Sequence, residues 1–308
     1  MNSKISLSKL KRRYDLILKE LENRDDAFRN DKYDVYFIPS LFEEEVISSM
    51  KKKDFDAYGS GAGGELKEHS NKNGDILPAS MSSVGSSSRF CYLSLRNSDL
   101  SAFGIKKADS DICFEEKLPI QGVDGGIPPH MDAYYESDDN FYFFECKCHE
   151  QFDKHKLELS NAYFDKNLIV DKIDKKYFLE NITKKNKRTG KDTVYRKYDP
   201  AVFGLPPNPR FDIKQFLTHI MGIESRIKDE IKKGKTIKEV KLMYFYFIPD
   251  AALNDKEIKD IIVTLTSEVR IAFDALKKLC DIDIKFELYI QHGERVETAS
   301  KANVRREI

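Results

Sequence analysis

The fold is decided by the run Gly125-Gly126-Ile127-Pro128-Pro129-His130-Met131-Asp132-Ala133-Tyr134-Tyr135, a short turn, and the run Phe141-Tyr142-Phe143-Phe144-Glu145-Cys146-Lys147-Cys148. Aromatic and apolar residues fill both flanks, and the turn between them is Ser137-Asp138-Asp139-Asn140. Two apolar runs that are joined by a few turn-forming residues are typical of a β-hairpin. The sequence therefore predicts two antiparallel strands at this place.

Strand geometry divides the second run into two sets of side chains, because alternate residues of a strand share a face. One set is Phe141, Phe143, Glu145 and Lys147, and the other is Tyr142, Phe144, Cys146 and Cys148. Asp132, on the neighbouring strand, is expected to reach the face of Glu145 and Lys147. Two carboxylates and an ammonium at the end of an aromatic strand are costly to bury unless they bind something. A divalent cation and a phosphodiester would suit them. An exposed hairpin can also carry such charges as a surface ion pair.

The composition narrows the possible classes of protein. The 308 residues suit one large domain or one domain with appendages. Charged residues make up 34% of the chain with a formal net charge of zero, so any binding of nucleic acid must come from local patches. No apolar run reaches membrane-spanning length and no signal peptide is recognisable, which predicts a cytoplasmic protein without a membrane partner.

The five cysteines indicate reduced thiols, since their number is odd and no Cys-x-x-Cys pair occurs. Cys146-x-Cys148-His149 with His155 is the arrangement closest to a zinc motif. Its spacing is poor, and Cys146 is expected on the face opposite Glu145, so zinc is disfavoured.

Hydrophobic periodicity predicts the order helix, three strands, helix, strand, helix, strand. The predicted segments are a serine-capped helix over 87–95, a strand over 111–120 with Glu115, the hairpin, a helix over 211–227 with His219, a strand over 240–248, a helix capped by Asn254 or Asp255 through 279, and a strand over 282–290. An earlier helix over 7–21 has one apolar stripe, which packs either on its own domain or on a second subunit. Short elements are expected at 33–38 and 42–50, an exposed loop at 67–80 and a frayed end at 294–308.

Two further stretches bear on function. The glycine-rich turn 59–64 is no Walker loop, because no Gly-Lys-Ser/Thr follows, and it is expected to position Glu65. The segment 150–205 has no clean period and is the most basic part of the chain. It is either a solvated loop or a phosphate-binding surface. Its cations are Lys184, Lys185, Lys187, Arg188, Lys191, Arg196 and Lys197.

An acid, a hairpin and Glu-x-Lys resemble the signature of the PD-(D/E)XK nuclease superfamily. Within it, the chain is similar to a bacterial restriction-endonuclease-like family. The matching motifs, in chain order, are Gly64-Glu65-Leu66, Ser86-Ser87-Ser88, Phe114-Glu115, Gly126-Ile127-Pro128-Pro129-His130-Met131-Asp132, Glu145-Cys146-Lys147 with Glu150, and Asp212-Ile213-Lys214-Gln215-Phe216-Leu217-Thr218-His219. The departures from the family are Met131, Cys146 and Phe216, together with a longer, more basic 150–205 segment.

The resemblance implies an α/β fold with a restriction-endonuclease-like αβββαβ core, in which helices flank a mixed central sheet. The implied organisation is an N-terminal helical arm over 1–58, a nuclease domain over 59–292 with a basic insertion at about 150–205, and a C-terminal tail over 293–308. The implied function is Mg²⁺-dependent hydrolysis of DNA phosphodiester bonds in restriction or phage defence, with Mn²⁺ as a substitute. Alternatives are a catalytically silent nucleic-acid-binding module, a structure-specific nuclease or an RNA nuclease.

The resemblance also implies roles for individual residues. Asp132, Glu145 and the carbonyl of Cys146 are expected to bind the metal, with Glu115 or Glu65 as a further ligand or an outer carboxylate. Lys147 is expected to orient or deprotonate the water, and Gln215 to contact the active site or the backbone. Glu150 is expected to be an outer group or a helix cap. The nucleic-acid contacts are assigned to Lys184, Lys185, Lys187, Arg188 and Lys191. Cutting both strands of a duplex favours a homodimer.

Overall fold

The computed structural model describes residues 6–21, 28–30, 35–60, 64–70, 74, 76–97, 100–106, 111–123, 128–185, 190, 192–293 and 304–307. The helices are α1 (Leu7–Leu21), α2 (Pro39–Glu45), α3 (Lys52–Gly59), α4 (Ser87–Leu95), α5 (Ile213–Lys232) and α6 (Lys256–Lys277). The strands are β1 (Phe28–Asn30), β2 (Val35–Phe37), β3 (His69–Ser70), β4 (Ile76–Leu77), β5 (Cys113–Lys117), β6 (His130–Ser137), β7 (Asn140–Lys147), β8 (Leu157–Ser160), β9 (Phe178–Lys185), β10 (Asp192–Tyr198), β11 (Glu239–Pro249), β12 (Ile284–Gly293) and β13 (Val304–Arg306).

A six-stranded mixed sheet in the order β13-β12-β11-β7-β6-β5 forms the centre of the fold. Strand β6 is antiparallel to β5 and to β7. Strand β11 is parallel to β7 and to β12. Helices α4, α5 and α6 flank the sheet, so the fold class is α/β. The predicted order of these sheet-forming elements and their helices is confirmed. No helix within the described ranges is both long enough and apolar enough to cross a bilayer.

The predicted hairpin is confirmed with its turn in place. Ser137 pairs with Asn140, which leaves Asp138 and Asp139 as a two-residue loop. Both have positive φ, 48° and 67°. Positive φ at both central residues produces the turn whose twist matches that of the flanking strands, and Asp tolerates this conformation better than most residues.

Aromatic side chains cover both faces of the sheet. On one face, Phe90 of α4 packs on Phe245 with ring centroids 4.7 Å apart. On the other face, Phe216 of α5 and Phe273 of α6 pack on Tyr244 at 5.2 and 6.0 Å. Strand β11 is therefore buried on both sides, as its near-continuous apolar run predicts for a central parallel strand.

The helix boundaries follow from capping residues. Helix α4 has the predicted bounds, and the Ser86 side chain accepts a hydrogen bond from the backbone N–H of Arg89. Asp212 and Asp255 cap α5 and α6 in the same way. Helix α2 starts earlier than the predicted 42–50, at Pro39, because proline is favoured in a first helical turn.

Helix α1 packs on its own domain rather than on a second subunit, which is one of the two predicted alternatives. The fully buried Tyr14 hydroxyl donates to the carbonyl of Phe247 over 2.9 Å, and Arg13 forms ion pairs with Asp255 and Glu257 next to the start of α6. Two other expectations need correction. Within the supposed loop 67–80, β3 pairs with β4, and β13 at the supposed frayed end pairs with β12. These strands have two or three residues, which is too short for a visible alternation.

The segment 150–205 contains a second sheet in the order β8-β10-β9. Both ends of the segment are fixed beside β7 and α5. The N–H of His155 donates to the carbonyl of Pro209 over 2.8 Å, and the Arg210 guanidinium donates to the carbonyl of Gln151 over 3.0 Å. The inserted sheet therefore leaves and rejoins the main fold at one place. That place lies between Lys147, the last residue of β7, and Ile213, the first of α5.

Candidate active site

Three carboxylates form a row across the adjacent strands β5, β6 and β7: Glu115, Asp132 and Glu145. Glu115 and Asp132 lie opposite each other between the paired residues Phe114↔Ala133 and Glu116↔Met131. Asp132 Oδ2 accepts a hydrogen bond of 2.7 Å from the backbone N–H of Cys146, which fixes its carboxylate beside Glu145. The register of the sheet thus brings together acids that are 30 residues apart in sequence.

Lys147 joins this row to helix α5. Its Nζ lies 2.6 Å from Glu145 Oε1 and donates to Gln215 Oε1 over 2.9 Å. Glu145 and Lys147 are only 1% and 9% exposed. Gln215 is held in turn by Asp212, which accepts its backbone N–H over 2.9 Å. The structure therefore brings together Glu145, Lys147 and Gln215 on the predicted face, with Asp132 alongside.

Burial and mutual repulsion act on the acids of this row. Burial, followed by the charge of Glu145, raises the pKa of Asp132 well above its usual range. Burial also raises the pKa of Glu145, although Lys147 opposes the effect. Burial and then Asp132 raise the pKa of Glu115 to about 8. Burial alone would lower the pKa of Lys147, but Glu145, Glu150 and Asp132 keep it well above its usual value. The row needs further positive charge to hold all its acids ionised.

One oxygen of this cluster lacks a hydrogen bond. Glu145 Oε2 is buried without a partner and lies 3.7 Å from His219 Nδ1, which is likewise buried without one. Burial lowers the pKa of His219 to about 3, so its ring is neutral at ordinary pH. A neutral nitrogen facing a carboxylate at this distance does not satisfy it. Glu145 Oε2 is therefore a buried acceptor without a hydrogen bond among the described residues.

The donor set fits a hard divalent cation that keeps part of its water. Within the described ranges, no group of three or more His, Cys, Asp or Glu side chains is placed to hold a metal ion. Mg²⁺ needs fewer, because it is usually bound through one or two carboxylates plus water and phosphate oxygens. Asp132 and Glu145 provide two carboxylates, and the main chain of Cys146 lies between them. The Cys146 thiol points the other way and hydrogen-bonds with Cys91 of α4.

Glu115 and Glu65 lie at the outer end of the row. Glu115 has a φ of 53° inside a strand, a strained conformation for a residue other than glycine. Its Oε2 lies 3.4 Å from His130 Nδ1. Burial raises the pKa of Glu65, which a hydrogen bond with Ser88 partly opposes, and the charge of Glu65 in turn raises the pKa of Glu115. The role of Glu115 or Glu65 as an additional metal ligand stays a prediction.

Glu150 fixes the end of β7 to the start of α4. Its carboxylate accepts hydrogen bonds from the Ser87 hydroxyl and from the backbone N–H groups of Cys148 and His149, the last two over 2.9 and 3.0 Å. Burial alone would raise the pKa of Glu150, but Lys147 leads the groups that lower it to about 2. The neighbouring turn is tight, since a Cβ on Gly85 would lie 2.0 Å from His149 Nδ1. Glu150 therefore ties the end of β7 to the first turn of α4 beside Lys147, whereas the cap of α4 itself is Ser86.

The sequence analysis named His155 only as part of the disfavoured zinc motif and did not foresee its place beside Lys147. Its Nδ1 lies 3.2 Å from Asp212 Oδ2, and both residues line a cavity of about 110 Å³ beside Lys147, Gln215 and Arg210. No spacing signal points to His155, because it lies on an irregular segment eight residues after Lys147. Its contact depends on how α5 returns to the sheet.

The described part of the basic patch is only partly available for phosphate. Lys184 forms an ion pair with Glu158, and Lys197 with Glu180. Arg196 lies 3.5 Å from Asp165, while Lys185 is exposed. Three of the cations assigned to nucleic-acid binding lie outside the described residues: Lys187, Arg188 and Lys191. No protein-family model, curated protein or solved structure matches this chain.

Proposed function

We propose that this chain is a Mg²⁺-dependent endonuclease that hydrolyses DNA phosphodiester bonds in restriction or phage defence. The elements α4, β5, β6, β7, α5 and β11 are, in this proposal, the αβββαβ core of a restriction-endonuclease-like member of the PD-(D/E)XK superfamily. The observation that carries the proposal is the buried cluster of Asp132, Glu145 and Lys147. The acids stand on adjacent strands, and the ammonium lies between Glu145 and Gln215.

Phosphodiester hydrolysis joins a water oxygen to phosphorus, breaks the bond to the leaving oxygen and transfers one proton of the water to that leaving oxygen. Lys147 is held as an ammonium at the rim of the cluster, where it orients the attacking water and offsets negative charge that develops on the phosphate. Gln215 and Glu145 fix the ammonium in two directions, so that little reorganisation is needed during the reaction.

Asp132, Glu145 and the carbonyl of Cys146 would hold the cation, and the buried acceptor Glu145 Oε2 supports this assignment. When bound, Mg²⁺ or Mn²⁺ supplies positive charge to the phosphate and to the leaving oxygen. The same charge would relieve the repulsion between Asp132 and Glu145.

The decisive experiment incubates the purified protein with supercoiled plasmid, linear duplex DNA and single-stranded RNA, each with Mg²⁺ or with EDTA. The expected result is conversion of plasmid to nicked or linear DNA with Mg²⁺ and none with EDTA. Cleavage confined to RNA would show that the substrate is RNA rather than DNA. Binding without any cleavage would favour a catalytically silent nucleic-acid-binding module. Sedimentation of the protein with and without DNA tests the proposed homodimer.

A further inference from the structure

An open cavity of about 750 Å³ lies on one face of the inserted sheet. None of its lining residues belongs to the candidate active site. One wall comes from strands β9 and β10, with Phe178, Asn181 and Arg196, and the opposite wall from the segment 161–175. Pockets for nucleotide-sized ligands commonly have volumes of about 300–1,000 Å³.

The floor of the cavity is built from stacked planar groups. Phe164 and Tyr198 are nearly parallel, with ring centroids 5.9 Å apart and an angle of 16°. The Arg196 guanidinium lies 4.1 Å over the Phe164 ring, and its Nε–H donates to Asn161 Oδ1 over 2.8 Å. These contacts fix the orientation of the guanidinium plane, and the Arg196 side chain remains 28% exposed. A fixed guanidinium plane is a stacking surface for a heteroaromatic ring.

Two amides complete the polar lining. Asn167 and Asn181 are exposed at the cavity, and neither side chain hydrogen-bonds within the part of the chain described here. A carboxamide offers a donor and an acceptor side by side, which matches the edges of nucleobases.

The loop wall is held in place before any ligand arrives. The Asp171 carboxylate accepts hydrogen bonds from the backbone N–H groups of Asp165, Lys166 and Leu168, over 2.8, 3.1 and 3.1 Å. Asn167, inside this loop, has a φ of 57°. A wall that is already ordered lowers the conformational entropy that the protein loses when a ligand binds.

The charges of the lining favour a neutral ring over a free anion. Asp165 and Asp171 balance Lys175 and Arg196, so the cavity has no excess of positive charge. The insertion also starts and ends beside Lys147 and Gln215, at the candidate active site. We propose that the cavity binds one unpaired nucleobase of the nucleic acid that the active site cleaves. This inference rests on the proposed function for the identity of the polymer.

The test measures binding of the four 2′-deoxynucleoside 5′-monophosphates to the full chain in EDTA by ligand-observed NMR, with inorganic phosphate and glucose as comparison ligands. EDTA makes the result independent of cleavage. The variants are Asn181→Ala and Phe178→Ala, both at exposed positions, and Arg196→Ala. Asn254→Ala, at an exposed position outside the cavity lining, is the matched control. Circular dichroism establishes that each variant is folded.

We expect at least one nucleotide to bind and each cavity variant to weaken it about tenfold or more, with Asn254→Ala unchanged. Equal binding by the variants, equal binding of phosphate, or binding of glucose alone would overturn the inference. These outcomes leave the proposed function untouched, because plasmid cleavage with Mg²⁺ is measured separately. Loss of cleavage in Lys147→Ala with nucleotide binding preserved would show that the two sites are distinct.

Discussion

The row of acids on the main sheet and the inserted sheet are both highly charged. The insertion has exposed ion pairs, whereas the row has buried charges. In the insertion, Lys184 pairs with Glu158 and Lys197 with Glu180, and in each pair at least one partner is half exposed. In the row, Glu145 and Lys147 are buried, and burial raises the pKa of every acid. Exposed ion pairs need no further explanation. A buried excess of carboxylates destabilises the fold and indicates a site for a cation.

The largest expected effect is on activity. Lys147→Ala and Asp132→Asn should each lower Mg²⁺-dependent plasmid cleavage at least about 1,000-fold, because each removes a charge next to the reacting phosphate. Asn at 132 keeps an oxygen for the Cys146 N–H, so the fold is retained. Lys154→Ala, at an exposed position, is the control. Undiminished cleavage by either variant would refute the assignment of the row.

The next effect is on stability. Glu150→Ala removes the acceptor of three hydrogen bonds at the junction of β7 and α4. It should lower the free energy of unfolding by about 3 kcal/mol, because buried donors are left unsatisfied. Chemical denaturation at pH 7 measures the change. Asp153→Ala, at an exposed position three residues later, should change stability little, and an equally small change in Glu150→Ala would show that the junction is held by other contacts.

A pH dependence follows from Glu115. Its folded pKa of about 8 lies above the ordinary 4.5, so its contribution to stability is complete below pH 4.5 and is lost as the pH rises through about 8. Glu115→Gln mimics the protonated acid. In EDTA, its stability should fall less steeply across this window and exceed that of the wild type at pH 9. Exposed Glu68→Gln serves as the control. A wild-type slope in Glu115→Gln would contradict the raised pKa.

The smallest effect is expected in the insertion. Lys184→Ala should change the free energy of unfolding by less than about 0.5 kcal/mol, since the lysine of this ion pair is 52% exposed. Thermal unfolding at low and high salt measures it. A loss of more than about 1.5 kcal/mol would remove the contrast between the two regions.

Much of the main sheet is predictable because its residues alternate or repeat with a clear period. The hairpin, the two faces of β7 and the start of α4 follow from local patterns, and the contacts of Lys147 with Gln215 and of Cys146 with Cys91 confirm the assignment of faces. Glu145 and Lys147 were found in this way, since a strand that is aromatic up to its last residues makes later charges conspicuous.

The inserted sheet was not predictable, for a physical reason. Nearly all side chains of β9 are exposed, so the strand shows no alternation of apolar and polar residues. The positive φ of Glu115 depends on the register of β5, and the contact of Glu150 with Ser87 joins residues that are 63 positions apart. Such features arise from tertiary contacts and leave no local pattern.

The closed base of the insertion, where His155 contacts Pro209 and Arg210 contacts Gln151, has a consequence for protein engineering. A segment whose ends are tied together can be replaced as a cassette without moving the elements on either side. An exchange of the insertion is therefore best cut at these two contacts.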